Sequence, residues 1–131
     1  MGTVSLRQFC ETLYCAYTSG EAFIPDATGT IAFQARLTSN GLGSEHKVVF
    51  EGVTDLATSR EVRRPDDGEQ YQLELSVIEV EREPTGWRIW VNPWYVEEIE
   101  FHCRNARLDD ADLVGEGRWL QDELPGKPQN S

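Results

Sequence analysis

Residues 86–104 read GWRIWVNPWYVEEIEFHCR. Apolar side chains occupy every second position in two runs of this stretch, which a turn at 92–94 separates. Because successive side chains of a strand point to opposite faces, a period of two predicts two strands that each bury one face. The residues before them also alternate and end in a turn at 83–86, so we predict a three-stranded antiparallel meander over 70–83, 86–92 and 95–108.

The register of this meander follows from burial. The apolar alternation changes phase near Val77, and a β-bulge there would explain the change. The turn composition favours a three-residue loop, but a two- or four-residue loop keeps charged side chains opposite one another, and burial usually sets the register. Arg88 is then predicted on the outward face. Its cross-strand neighbours are Glu100 directly across on one strand and Glu81 or Glu83 on the other.

The chain before the meander changes from helical to strand periodicity. Apolar residues recur every three or four positions over 5–18, which predicts an amphipathic helix. Ser5 and Gln8 fit a capping box at its start. Further on the period becomes two, which predicts strands over 30–38 and 46–54 joined by an Asn-Gly hairpin turn.

The remaining segments are polar or mixed. The stretch 57–70 contains almost nothing apolar, so we interpret it, with its three arginines, as a solvated loop. The tail over 109–131 is predicted to run back over the sheet, with a short helix near 118–124. The length of 131 residues fits a single domain over 1–131. The predicted class is α+β, mostly β: an N-terminal helix packed on a curved antiparallel sheet of about five or six strands, open or barrel-like.

Composition excludes several classes of function. The chain has 23 Asp and Glu against 12 Lys and Arg, a formal net charge of -11. Acidic residues are spread along the chain, and such a field repels phosphate backbones, so we expect no direct binding of nucleic acid. No stretch approaches the roughly 18 apolar residues of a membrane span, and the first residues do not resemble an export signal. Three cysteines without C-x-x-C spacing indicate reduced thiols, so we expect a cytoplasmic protein.

The sequence favours a protein that is not an enzyme. It contains none of the common catalytic or nucleotide-binding motifs. The adjacent pair His102 and Cys103 is the most suggestive candidate for nucleophilic catalysis. Neighbours on a strand point to opposite faces, however, so the imidazole cannot activate the thiol. We predict no catalytic residue and no cofactor.

A metal site is the next candidate. Glu98, Glu100 and His102 occupy alternate positions of one strand and share a face, where they could suit manganese, iron or zinc. Successive side chains on that face are about 6.6 Å apart, which is too far for one ion to take all three. We therefore favour a solvated face with cross-strand ion pairs over a metal site.

The outward face combines carboxylates with tryptophan, a composition typical of recognition surfaces. We interpret it as an interaction surface for a basic protein partner. An alternative is a small-ligand or metal site, possibly enzymatic, in the curved face of the sheet. Another is a homodimer formed through an open sheet edge or the tryptophans. The candidate partner-binding residues are Glu79, Glu81, Trp90, Trp94, Glu98 and Glu100.

Overall fold

The computed structural model describes residues 2–39, 42–58, 72–93 and 98–121. Within these ranges the chain forms one α-helix and twelve strands. The helix α1 spans Leu6–Leu13, and a short 3-10 helix lies at Gly20–Phe23. The strands are β1 (Gly2–Ser5), β2 (Tyr17–Ser19), β3 (Ile31–Ser39), β4 (Leu42–Glu51), β5 (Thr54–Thr58), β6 (Gln72–Glu74), β7 (Ile78–Glu83), β8 (Gly86–Val91), β9 (Ile99–Cys103), β10 (Asn105–Leu108), β11 (Ala111–Val114) and β12 (Arg118–Gln121).

The strands form two sheets and not the single curved sheet predicted from the sequence. One sheet has seven strands in the order β1-β11-β10-β4-β3-β2-β6, and the other has five in the order β12-β7-β8-β9-β5. Among the described residues neither sheet closes on itself, and β1 with β11 is the only parallel pair. The α+β, mostly β class is confirmed. The strand count was too low because two long predicted strands are each divided between the sheets and because β1, β2, β5, β11 and β12 were not predicted as strands.

The predicted strand 70–83 contains β6 of one sheet and β7 of the other. The phase change near Val77 marks the passage between the sheets and not a bulge within one strand. Leu73 belongs to the seven-stranded sheet, whereas Ile78 and Val80 belong to the five-stranded sheet. All three side chains are buried in the core. The predicted strand 95–108 is divided in the same way, into β9 and β10.

Asn92 holds the passage from β6 to β7 in place. Its side-chain oxygen accepts hydrogen bonds from the backbone N–H groups of Ser76 (2.8 Å) and Val77 (3.1 Å). Its side-chain amide donates to the carbonyl oxygen of Glu74 (2.9 Å), and its backbone N–H donates to the carbonyl oxygen of Val77 (2.7 Å). Asn92 is 2% exposed and has a φ of 53°, a conformation that asparagine tolerates better than most residues. The predicted turn at 92–94 is thus also a bridge between the sheets.

Both predicted hairpins form. β3 and β4 pair without interruption from Ile31 opposite Phe50 to Ser39 opposite Leu42, so β4 begins earlier than the predicted 46–54. The Asn-Gly turn at 40–41 lies outside the described residues. In the second hairpin Glu83 pairs with Gly86, which leaves a two-residue loop. Glu81 therefore lies opposite Arg88, which keeps charge opposite charge as the burial pattern predicted.

The helix is shorter than the predicted 5–18. Its start is confirmed, because the Ser5 side chain accepts a hydrogen bond from the backbone N–H of Gln8 at 3.1 Å. It ends early because Cys15 takes a φ of 65° and donates its backbone N–H to the Leu75 carbonyl oxygen at 2.9 Å. The chain is thereby turned into β2, which pairs with β6. Tertiary pairing overrides the helical periodicity here.

The tail forms strands where a helix was predicted near 118–124. β11 joins the seven-stranded sheet, and β12 pairs with β7 along Arg118–Gln121. Residues 122–131 lie outside the described residues, as do 59–71, which include most of the predicted 57–70 loop.

The core lies between the sheets, and α1 packs against β12 and β7 at one side of it. Its centre is a chain of aromatic contacts with ring centroids between 4.9 and 6.4 Å apart. The rings in contact are those of Phe9, Phe23, Phe33, Phe50 and Phe101.

No helix in the described part of the chain is long and apolar enough to span a membrane.

We predict that Asn92→Ala lowers the free energy of unfolding by about 3 kcal/mol, because it leaves buried backbone groups without partners and places alanine at positive φ. Urea denaturation followed by tryptophan fluorescence measures this loss. Asn105→Ala is the matched control, since Asn105 is exposed, and should change the stability by under about 0.5 kcal/mol. Equal losses for the two variants would contradict the bridging role of Asn92.

Candidate functional site

The outward face of the five-stranded sheet collects the predicted site residues. On β7, β8 and β9 the inward side chains, such as Val80, Ile89 and Phe101, are buried in the core. The alternate side chains point outward, and nearly all of them are charged. We call this surface the acidic face, and it consists of Glu79, Glu81, Glu83, Arg88, Trp90, Glu98, Glu100, His102 and Arg118.

Strand register arranges the outward side chains in two rows across the sheet. Since directly opposed residues lie about 5 Å apart, members of a row are neighbours. The first row is Leu120, Glu79, Trp90, Glu100 and Ala57. The second row is Arg118, Glu81, Arg88, His102 and Thr54.

Arg88 lies at the centre of the acidic face. Its Nε donates to Glu100 Oε2 at 2.7 Å, and its Nη1 lies 3.4 Å from Glu81 Oε1 and 3.5 Å from Glu79 Oε1. Burial lowers the pKa of Arg88, but the hydrogen bond to Glu100 and the three carboxylate charges outweigh this effect, so the pKa is raised. The guanidinium is therefore permanently charged and is shared among three carboxylates.

The predicted position of Arg88 is right in part. It faces outward with Glu81 directly opposite, as expected. The residue directly opposite on β9 is His102, whereas the prediction placed Glu100 there. Glu100 lies diagonally and still forms the shortest ion pair, because the long arginine side chain reaches a diagonal neighbour. With 20% of its side chain exposed, Arg88 is less solvated than the prediction assumed.

Glu79 is the buried member of the acidic face, at 5% exposure. Trp90 and Leu120 flank it in the row, and Arg118 Nε lies 3.2 Å from its Oε2. A buried carboxylate needs such partners, and Glu79 has two arginines. Glu79 thus contacts Arg88 and Arg118, and its low exposure leaves little of its side chain for direct contact with a partner.

Trp90 is half-buried and oriented by two charged neighbours. Its indole Nε1–H donates to Glu98 Oε2 at 2.6 Å, and the Arg88 guanidinium lies 4.6 Å from the ring centroid. The contact with Arg88 is a cation–π interaction, which restrains the indole further. Trp94, the other predicted aromatic contact, lies outside the described residues.

The three suggested metal ligands are held apart by different partners. Glu98 binds Trp90, Glu100 binds Arg88, and His102 Nδ1 lies 2.7 Å from Glu83 Oε1. Within the described ranges no group of three or more His, Cys, Asp or Glu side chains could hold a metal ion. The described face therefore consists of ion pairs and does not form a coordination site.

A depression of about 250 Å³ lies beside the acidic face, and Ala57, Thr58, Glu98 and Glu100 line it. Two carboxylates thus border a space that opens to solvent. At the opposite edge of the sheet, Leu120 is 40% exposed. The acidic face therefore has an acidic depression at one edge and an exposed apolar side chain at the other.

One residue and one contact of this surface were not found by sequence reasoning. Arg118 was assigned to a tail helix, and the contact between Glu83 and His102 was not foreseen. The only sequence signal for β12 is the alternation that points Trp119 and Gln121 inward, and a polar glutamine weakens that signal.

The cysteines do not contribute a nucleophile to this face. Cys103 points inward and is buried, whereas His102 points outward, so the expected separation of this pair is confirmed. Burial, with a smaller effect from the charge of Glu83, raises the pKa of Cys103 to about 12. Burial and the charges of Glu11 and Glu79 also raise the pKa of Cys10. Both thiols are therefore packing residues.

Comparison with known proteins identifies no relative: no family model, no curated protein and no solved structure matches the chain.

We predict that Arg88→Ala lowers the free energy of unfolding by about 2 kcal/mol, because it removes charge-assisted hydrogen bonds and leaves the buried Glu79 with only one arginine. Arg118→Ala removes the other, 66% exposed partner and should cost less than about 1 kcal/mol. Urea denaturation measures both losses.

A double-mutant cycle tests whether Glu79 causes the loss. Glu79→Gln removes the buried charge and should restore about 1 kcal/mol in the Arg88→Ala background. If Glu79→Gln is as destabilising in that background as in the native chain, the two side chains are not coupled.

We predict that Cys15 reacts with a disulfide reagent in the native protein, whereas Cys10 and Cys103 react only after denaturation. The thiolate is the reactive form, and burial raises the pKa of all three thiols, but Cys10 and Cys103 are also shielded from the reagent, whereas Cys15 is partly exposed. Titration with Ellman's reagent should count one fast thiol in buffer and three in guanidinium chloride. Three fast thiols in the native protein would contradict the burial of these side chains.

Proposed function

We propose that this chain is a small cytoplasmic binding module whose acidic face docks on a basic protein partner. The observation that carries the proposal is the excess of carboxylates on one ordered surface, where five glutamates face two arginines. Arg88 and Arg118 are already engaged by Glu79. The partly exposed carboxylates Glu81, Glu83, Glu98 and Glu100 thus retain negative charge toward solvent.

The carboxylates are held in position before a partner arrives. Glu83 is fixed by His102, Glu98 by Trp90, and Glu100 by Arg88. Restrained side chains lose less conformational entropy on binding than free ones. A carboxylate can accept about four hydrogen bonds, so Glu83 and Glu100 can bind a partner's cation without releasing His102 and Arg88.

The depression beside Glu98 and Glu100 is the proposed contact for a lysine or arginine side chain of the partner. Its two carboxylates match a cationic head group, and Ala57 offers an apolar contact for the methylene stem. The half-buried Trp90 lies next to it, and tryptophan and arginine are enriched among residues that dominate interface energies. Complementary charge at this surface would also accelerate association.

We predict that a hexa-arginine peptide, used as a probe of a basic partner, binds the native chain at low salt. Glu98→Gln with Glu100→Gln should raise its Kd about tenfold, because both charges of the depression are lost. Fluorescence anisotropy of the labelled peptide measures Kd. Binding should weaken steeply as salt increases, since the interaction is between charges.

The matched control is Glu45→Gln with Glu116→Gln, which changes the net charge equally at exposed positions outside the acidic face. Its Kd should stay within about twofold of that of the native chain. Equal weakening by the two double variants would show that only overall charge matters and would refute docking at the acidic face. No binding by the native chain would refute the proposal outright.

A further inference from the structure

A second surface of opposite charge lies at one end of the sandwich. There the β7–β8 hairpin meets the segment where β9 passes into β10, and a cavity of about 320 Å³ opens between them. Three arginines line this cavity: Arg82, Arg104 and Arg107. They are a quarter of the 12 basic residues of a chain whose net charge is -11. Among the described residues of the lining, Asp112 is the only acidic one.

Two of the three guanidinium groups lack a carboxylate partner. Arg107 is neutralised, because its Nη2 lies 3.2 Å from Glu51 Oε1 and its Nε lies 3.2 Å from Asp112 Oδ1. In the described part of the chain, neither Arg82 nor Arg104 forms an ion pair or a side-chain hydrogen bond. Arg82 lies 4.7 Å from the ring centroid of Trp87, which fixes the guanidinium without neutralising it.

The backbone that carries these arginines is closely packed. Gly86 has a φ of 156°, and a β-carbon there would overlap the Cys103 carbonyl oxygen, so the hairpin end lies directly against the β9–β10 passage. Arg104 donates its backbone N–H to the Glu51 carbonyl oxygen at 2.8 Å. Its side chain lies across Gly52, where a β-carbon would overlap its Nε. The absence of a side chain at Gly52 leaves space for the Arg104 side chain, and its absence at Gly86 lets the hairpin approach the β9–β10 segment.

Strand alternation explains why an acidic chain has such a site. Glu81 and Glu83 point to the acidic face, and Arg82 between them points to the opposite side of the same strand. The local sequence therefore separates negative and positive side chains onto two surfaces.

We infer that this cavity binds a small molecule through an oxyanion, a phosphate group or a carboxylate, with Arg82 and Arg104 as its main donors. The planar guanidinium offers paired N–H groups that match both anions. Thr85 and Asn105 also line the cavity and can add a hydroxyl and an amide donor. Its volume lies at the lower end of the range for small-molecule sites. The net negative charge repels extended polyanions, so the ligand is a small anion and not a nucleic acid.

Isothermal titration calorimetry of the full chain tests this inference with two probes, sodium phosphate and sodium succinate, at constant ionic strength balanced by chloride. We expect one site with a millimolar or lower Kd for at least one probe. Binding of phosphate alone identifies a phosphate site, binding of succinate alone a carboxylate site, and binding of both a general oxyanion site. No heat from either probe overturns the inference.

Variants locate the site. Arg82→Gln with Arg104→Gln should raise the Kd at least about tenfold, whereas Arg7→Gln with Arg36→Gln, an equal change of charge elsewhere, should leave it within about twofold. Equal effects of the two pairs overturn the inference.

Amide NMR spectra of the native chain provide a test that does not depend on folding of a variant. Addition of the probe that binds in calorimetry should shift the amide signals of Gly86 and Asn105 more than those of α1. The reverse pattern overturns the inference.

Discussion

The relation between the two sheets depends on the buried side chain of Asn92. It bonds three backbone groups of the segment that leaves the seven-stranded sheet and enters the five-stranded one. Two of these groups, the backbone N–H groups of Ser76 and Val77, lie between the strands β6 and β7, so a partner other than a neighbouring strand must satisfy them. Because this segment is fixed, Leu73 and Leu75 face the core from one side, and Ile78 and Val80 face it from the other. The outward direction of Glu79 and Glu81 follows from the same constraint.

The β7–β8 hairpin relates the two proposed binding surfaces. Its outward residues surround Arg88 with carboxylates, and its inward residue Arg82 lies at the mouth of the arginine-lined cavity. A strand that alternates charge signs can present two electrostatic environments without a charged block in the sequence. A partner at the acidic face and a small anion in the cavity can therefore bind the same hairpin from different sides. The hairpin is therefore a physical connection between the two surfaces.

The sequence predicts the parts of the fold that depend on the pattern of residues within one short segment. Alternation over β7, β8 and β9 identifies the inward core and the outward charges, and it places Arg88 opposite Glu81 or Glu83, of which Glu81 is the observed partner. It does not identify β1 or β12, because a four-residue strand is defined by a partner far along the chain. The burial of Glu79 was missed for the same reason. Its cover comes from Leu120 and Arg118 on β12, which no local pattern connects to β7.

The parallel pairing of β1 with β11 has a consequence for the order in which the chain can fold. Gly2 pairs in register with Ala111, so two strands that lie far apart in the sequence are neighbours in the sheet. Contacts so distant in sequence close large loops, and they slow folding compared with local pairings. Val4 and Leu6 belong to the same core cluster as Leu113, so this part of the core is incomplete until Leu113 has been synthesised. Until β11 is present, β1 lacks its strand partner in the described sheet, and unpaired strand edges favour aggregation.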